Sequence, residues 1–493
     1  MKKTVVLALI TMIVVYGTGC EDREAREGEE LAKVHCQSCH RLPDPGMLDS
    51  KTWINYVLPK MGAFLGFGRF PTGNYYENGK VPGAMPIADW DRIVRYYALQ
   101  SPDSLEEKEP DITIGFKQFD IGIPSFSVPD PATTCVQVQQ DQHQLVFADA
   151  VLKRMYTVSP DGQVQDSLSV GEGVVNIRIS GDSTWSLAMG VLYPSDEKKG
   201  SLSLRVRGKP SSIVLDSLQR PVYAEYVDLN GDGLQDILVC EFGNLSGAVS
   251  WFEKISDSKY SKHILRPLPG AIKTQTMDMN GDGLPDVITL MAQGDEGMFI
   301  YYNRGNGQFE EKRILQFPPS YGSNSFELAD LNRDGHPDIV ATNGDNGDYP
   351  PILKPYHGIR IYMNDGKNNF KEKVFLPMNG ACKAMARDFD GDGDFDIASI
   401  SYFPDYEHRP EESFLYWDNK GGDSYQPFSF PQADAGRWLT MDAGDLDGDG
   451  NIDIVLGNAK FPLGNIPPAI MKKWNNGSPS WLLLKNKSSR SKQ

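Results

Sequence analysis

A nine-residue acidic segment recurs five times in register, and it constrains the fold more than any other feature of the chain. Residues 228–236 read DLNGDGLQD, 278–286 DMNGDGLPD, 330–338 DLNRDGHPD, 388–396 DFDGDGDFD and 445–453 DLDGDGNID, spaced by 50, 52, 58 and 57 residues. A fixed period of this length marks a supersecondary unit that cannot bury its apolar face alone and must stack on its neighbours. An apolar run such as Ile237-Leu238-Val239 or Ile454-Val455-Leu456 follows each segment and reads as a strand leaving a loop. A second strand-like run, at 299–303, 359–364 and 414–419, ends at an Asn before a turn. Two strands flank the loop and two more form an outer hairpin, so the unit is a four-stranded blade.

At that period residues 112–487 hold seven blades, the first two, near 133–170 and 174–216, without the acidic loop. The last blade stops after Trp481-Leu482-Leu483-Leu484 and lacks its outer strand. Residues 116–123 look like that strand, because Lys117 to Ile121 parallels Glu311 to Ile314 and Lys371 to Val374 in other blades. Pairing it with the last blade would close the ring and remove a bare sheet edge.

The loops have the chemistry of an oxygen cage for a hard cation. Asp or Asn stands at positions one, three, five and nine: Asp228, Asn230, Asp232, Asp236; Asp278, Asn280, Asp282, Asp286; Asp330, Asn332, Asp334, Asp338; Asp388, Asp390, Asp392, Asp396; and Asp445, Asp447, Asp449, Asp453. Position seven can add a backbone carbonyl, and the Gly at position six permits the sharp turn. The expected ion is Ca²⁺, up to five of them, since Mg²⁺ keeps more of its water. An EF-hand needs Glu at position twelve, where these segments carry Val239, Thr289, Ala341, Ser399 and Leu456. The array instead resembles the FG-GAP or VCBS repeats of integrin-type β-propellers, over about three quarters of the chain. That resemblance implies a seven-bladed, calcium-stabilised propeller, a scaffold used for binding or docking.

Upstream, Cys36-Gln37-Ser38-Cys39-His40 is a C-x-x-C-H motif. Two thiols at this spacing form thioethers to a haem, and the adjacent His supplies an iron ligand. A zinc site would need a second Cys or His pair nearby, and the sequence has none. Met85 follows in a Pro-flanked segment, just before Trp90, Ile93, Val94 and Tyr97 at helical spacing. Haem motif, Met and closing helix together resemble a small class I cytochrome c across residues 24–103. The resemblance implies one covalent haem c with His40 and Met85 as axial ligands, Met61 and Met47 being the alternatives to Met85. Trp53, Phe64, Phe67 and Phe70 would line the pocket. Such a ligand pair leaves no open iron position, which favours electron transfer over oxygen or peroxide chemistry.

At the start of the chain, Lys2 and Lys3 precede an apolar run from Val5 to Tyr16 that is too short to span a bilayer. The run ends in Gly17-Thr18-Gly19-Cys20, which resembles a bacterial lipoprotein box, so residues 1–20 read as a signal peptide and Cys20 as the lipidated residue. The expected location is the bacterial outer membrane or cell surface, on its periplasmic face or exterior, with the lipid anchor as sole membrane attachment. Residues 104–111 form an acidic, Pro-containing linker and 488–493 a disordered tail. The expected architecture is a small all-α cytochrome c domain followed by an all-β seven-bladed propeller.

The formal charge of -17, from 49 basic and 66 acidic residues, excludes a nucleic-acid footprint. Eighteen of the acids lie in the five loops, so the acidity belongs to cation binding. Function is then one-electron transfer to a redox partner protein, with a propeller that binds a surface ligand, a glycan or another protein. Two alternatives stay open: a propeller that oxidises a sugar or alcohol and feeds the haem, and a purely adhesive protein. No catalytic residue is assigned. Other polar groups stand out: the loop 402–412, the polar loop 343–348, and Glu225, Gln275, Glu327, Met385 and Asp442, each three residues before an acidic loop. Cys135, Cys240 and Cys382 fall in separate blades and are expected as buried thiols.

Overall fold

The computed structural model describes residues 23–37, 40–77, 85–347 and 350–488. They form two compact units: residues up to 107 with 318–320 and 346–355, and the remainder from Lys108. Cys20, Cys39 and the segment 78–84 lie outside the described residues.

The first unit is built on helices at 23–35, 50–64 and Ile87–Gln100. The last buries Trp90, Ile93, Tyr96 and Tyr97, one stripe at helical spacing. Gly28 marks where the first helix passes close to it: a Cβ there would sit 2.4 Å from the Arg92 carbonyl oxygen. Asp49 caps the middle helix, its carboxylate accepting from Thr52 N–H at 3.0 Å. Pro59 brings no N–H to that helix, and the turn before it is a π-helix, Trp53–Val57, closed by Leu58 N–H to the Trp53 carbonyl. A short hairpin, Phe67–Arg69 with Tyr75–Glu77, makes the unit helical but not all-α. Of the four aromatics expected to line a pocket, Trp53 and Phe67 are buried and Phe64 and Phe70 are exposed. Phe64 is the last residue of its helix and Phe70 stacks at 4.4 Å on Tyr76 at the hairpin surface, so neither faces the core.

The second unit has seven radial sheets. The two blades without acidic loops run through 133–169 and 174–218, and the other five begin at Pro221, Ala271, Ser323, Ala381 and Trp438. Within each sheet consecutive strands are neighbours, except that the last two blades each take a strand from the start of this unit. In the last, Trp438–Gly444, Asp453–Asn458 and Trp481–Asn486 are completed by Phe119–Gly122, antiparallel with Leu484 opposite Ile121. A strand with no sequence signal, Thr113–Ile114, adds in parallel to Phe428–Ser429 and gives blade 6 a fifth member. Just before it, Glu109 pairs with Arg409, so this end of the linker is held on the propeller. The second strand of each loop-bearing blade is buried at every residue, as in Asp286–Met291, because blades pack against it on both faces.

The residues three before each loop bind blade to blade. Glu225 accepts from Thr276 N–H at 2.8 Å, Gln275 from Leu328 N–H at 3.0 Å, and Glu327 from Ala386 N–H at 2.9 Å. Asp442 accepts from Val138 N–H at 2.8 Å and so ties the last blade to the first. Met385 breaks the series, having no oxygen to offer. Position for position these contacts are the same, so the polar residues three before the loops serve as staples between blades.

Candidate metal centres

In the acidic loops the carboxylates fold the backbone around a common point. Asp228 accepts from Gly231 N–H through Oδ1 and Gly233 N–H through Oδ2, both at 2.8 Å. Asn230 Oδ1 accepts from Asp232 N–H at 3.1 Å, and Asp232 Oδ1 from Leu234 N–H at 2.7 Å. Both bonds to the first carboxylate recur at Asp278 and Asp445 and one of them at Asp330 and Asp388, while the turns at positions three and five recur at Asn280 and Asp282, Asn332 and Asp334, Asp390 and Asp392, and Asp447 and Asp449. The Gly at position six has positive φ in all five, from 82° at Gly233 to 100° at Gly393, a conformation that excludes most side chains.

Position nine does a second job that the sequence did not disclose. Asp286 accepts from Asn303 N–H at 2.8 Å on one oxygen and Met279 N–H at 2.9 Å on the other, stapling the loop to the third strand of its blade. Asp338 and Asp453 repeat this with Asn364 and Leu331, and with Asn486 and Leu446. Asp236 adds the Trp251 indole at 2.9 Å, and Asp396 takes the Tyr416 hydroxyl at 2.6 Å. Apart from Asp236 Oδ2, which takes both the Leu229 N–H and the Trp251 indole, each of these oxygens accepts one such bond and keeps a second lone pair for a cation. The Asn at the end of the third strand also reaches the neighbouring loop: Asn303 Nδ2 donates to the Leu229 carbonyl at 2.7 Å and Asn486 Nδ2 to the Phe389 carbonyl at 2.6 Å. That recurrent Asn was the only sequence trace of this coupling.

Oxygens of Asp388, Asp390 and Asp392 lie within 4.8 Å of one another, as do those of Asp445, Asp447 and Asp453. These are hard oxygen donors at one point, the set a Ca²⁺ ion takes. The other three loops have Asn in place of the third-position Asp and the same turns at positions three and five. Ionisation is costly here without a counter-charge: burial first, then neighbouring carboxylates, pushes Asp394 up to about 6. Burial likewise carries Asp396 up to about 7 and Asp453 up to about 6. At Asp278 the backbone N–H of Gly283 and its neighbours work the other way and lower the value.

In the first unit His40 Nδ1 lies 2.8 Å from the Arg41 carbonyl. A carbonyl only accepts, so Nδ1 carries the proton and Nε2 keeps its lone pair for a metal. Met85 is buried, and Cys36 packs against the same apolar cluster, as does Met61. Two donors in that cluster have no hydrogen-bond partner among the described residues: the indole N–H of fully buried Trp90, and the buried hydroxyl of Tyr75, whose ring meets Trp90 edge-on at 5.6 Å. Trp53 and Tyr97, by contrast, donate to the Pro45 and Pro43 carbonyls at 2.8 and 2.9 Å. An open cleft of about 650 Å³, with Arg26, Glu29, Asp44 and Tyr96 in its wall, contains none of the candidate ligands.

The remaining polar candidates are structural. In the loop 402–412, Glu412 is fully buried and accepts from Asn379 N–H at 2.7 Å, while Asp405 accepts from Glu407 N–H at 3.1 Å and faces His408. Asn343 is buried between Ser323 and Arg360, and Asp348 lies outside the described residues. Cys135, Cys240 and Cys382 form no disulfide, and burial pushes the Cys135 and Cys382 thiols up to about 12. No helix among the described residues is long and apolar enough to cross a membrane.

The FG-GAP-like repeat family matches residues 228–289, 278–341 and 388–456. These segments of the chain are FG-GAP-like repeats. No curated protein matches the sequence. Among solved structures, streptogramin B lyase aligns at TM-score 0.47 and 12% identity, covering 75% of this chain and 98% of that one. The Pan2 WD40 domain of Neurospora crassa aligns at TM-score 0.45 and 10% identity, covering 76% and 96%.

Proposed function

We propose that this chain is an exported c-type cytochrome that carries single electrons and uses a calcium-stabilised FG-GAP propeller to bind or dock a partner. The observation that carries the haem reading is the pairing of C-x-x-C-H with its surroundings in the fold. His40 is held with Nε2 available, Met85 sits in the core with Cys36, and Trp90 and Tyr75 aim two unsatisfied donors into the same cluster. An unpaired buried donor costs about 1–3 kcal/mol, so two side by side point to an acceptor such as a haem carboxylate. Cys36 and Cys39 would hold the haem covalently, with His40 and Met85 as its axial ligands; the group itself supplies reversible one-electron redox chemistry. His40 is oriented by the Arg41 carbonyl, and buried Trp53, Phe67 and Trp90 would supply apolar walls for the group.

Cys20 would anchor the mature protein to the outer membrane or cell surface by lipid. The propeller's partner is a redox protein or a surface ligand such as a glycan, since repeats of this kind supply a recognition face without fixing its ligand. Calcium in the five loops would offset carboxylate repulsion and let the loops pack.

The test is a visible spectrum of the full chain matured with haem-attachment machinery. The expected result is a low-spin covalent haem whose weak far-red sulfur-to-iron band disappears in Met85→Ala. Persistence of that band in the variant would remove Met85 from the ligand set, and Met61 would be next to replace.

A further inference from the structure

Position four of the acidic loop is Gly in four blades and Arg333 in blade 5. Arg333 holds a left-handed φ of 59°, beside 75° to 81° at those glycines, a conformation unfavourable for a residue with a Cβ. Its guanidinium crosses to the next blade, where Nη2 donates to the Gly393 carbonyl at position six of the blade 6 loop.

This contact stands where the bridge used between other loops is missing. At the other seams an Asn of the following blade donates to the position-two carbonyl: Asn303 to Leu229, Asn368 to Met279 and Asn486 to Phe389. Asn419 of blade 6 donates to Phe395 of its own loop and makes no such bond to Leu331 among the described residues. The two loops that Arg333 joins are also the two that fall short of the full turn. In blades 3, 4 and 7 the first carboxylate accepts from the N–H groups at both position four and position six. Among the described residues, blade 5 lacks the bond from position four, which is Arg333 itself, and blade 6 the bond from position six, which is Gly393 itself. Gly393 has φ 100°, while the position-six glycines of the other loops lie between 82° and 88°.

We propose that the Arg333–Gly393 contact is a latch shared by two calcium loops, which releases when either loop fills and thereby raises the affinity of the other. The inference rests on the calcium reading above. A cation held by the oxygens of the loop favours the closed turn that blades 3, 4 and 7 already have. To close it in blade 6, Gly393 turns its N–H to Asp388, which moves its carbonyl off Arg333. To close it in blade 5, Arg333 turns its own N–H to Asp330, which draws its side chain away from Gly393. A divalent ion in either loop also repels the guanidinium that reaches from one to the other. The first ion therefore bears the loss of the contact, and the second enters a loop already released. By linkage the gain is the same whichever loop fills first. The Asn bridges leave the turns of blades 3, 4 and 7 complete, so the coupling belongs to blades 5 and 6.

The experiment is a calorimetric calcium titration of the full chain after chelator treatment, for wild type, Arg333→Gly and Arg333→Met. Gly matches the other loops at this position and relieves the backbone, whereas Met removes the guanidinium and keeps a side chain at φ 59°. Arg333 is exposed, so both replacements are tolerated. A hydrogen bond from a charged donor is expected to move a constant by about tenfold. In wild type two ions should enter cooperatively, the second about tenfold more tightly than the first. Both variants should lose that cooperativity and bind the first ion of the pair about tenfold more tightly, with the number of ions unchanged. Tightening in Arg333→Gly alone would assign the effect to backbone strain and overturn the latch. Unchanged or weakened binding in both variants overturns it too, as does a wild-type chain that binds calcium without cooperativity. A wild-type chain that binds no calcium overturns the calcium reading as well.

Discussion

Glu412 shows what a single buried carboxylate does to this fold. Burial, only partly offset by the Asn379 and Asp405 N–H groups and by Arg409, pushes it up to about 7 from an ordinary value of 4.5. The folded chain therefore keeps a proton that the unfolded chain has released, and stability falls as pH rises through that window. The shift corresponds to about 3 kcal/mol between the two plateaus. Glu412→Gln, with calcium present throughout, should flatten the dependence of unfolding free energy on pH between 5 and 7.5 relative to wild type; parallel curves would contradict this. At this scale the C-x-x-C-H spacing of Cys36, Cys39 and His40 is plain in the sequence, while the orientation of the His40 ring by the Arg41 carbonyl is not. It was not legible at Glu225, Gln275, Glu327 and Asp442, because a polar residue on an inner strand reads the same whether it faces water or caps an N–H of the next blade. Trp90 and Tyr75 were visible as aromatics, but their unsatisfied donors emerged only from the packing.

Among the elements, the N-terminal clasp bears most on the ring. Phe119 is buried against Phe116, Phe389 and Tyr416 at ring distances of 5.4, 6.1 and 5.6 Å, while its strand covers the open edge of the last blade. Phe119→Ala should cost about 3–5 kcal/mol, measured by urea unfolding, whereas a loss below about 1 kcal/mol would show that the clasp does not close the ring. The clasp was readable because its pattern repeats that of outer strands elsewhere. Thr113–Ile114 was not, since two residues carry no periodicity, and their pairing depends on Phe428–Ser429 being within reach. The hairpin at 67–77 escaped for the same reason. The five loops were plain in sequence, yet their position-nine staples were not, because a carboxylate that bonds backbone N–H and one that bonds a cation are the same residue.

For the whole molecule, the proposed haem unit and the proposed calcium dependence of the propeller make separable demands. Chelating calcium should lower the melting temperature of the propeller, since a ligand at about one hundred times its Kd adds about 2.7 kcal/mol per site. An unchanged melting curve in excess chelator would mean that the loops fold on their hydrogen bonds alone. The haem reading does not depend on that outcome. Its most direct test is a spectroelectrochemical titration of the full chain after haem maturation, with and without a panel of sugars and alcohols. One reversible one-electron wave and no reduction by any panel compound is the expected result. A chain without covalent haem absorption would contradict the haem reading, and a haem reduced by a panel compound alone would make the propeller a dehydrogenase and contradict the carrier assignment.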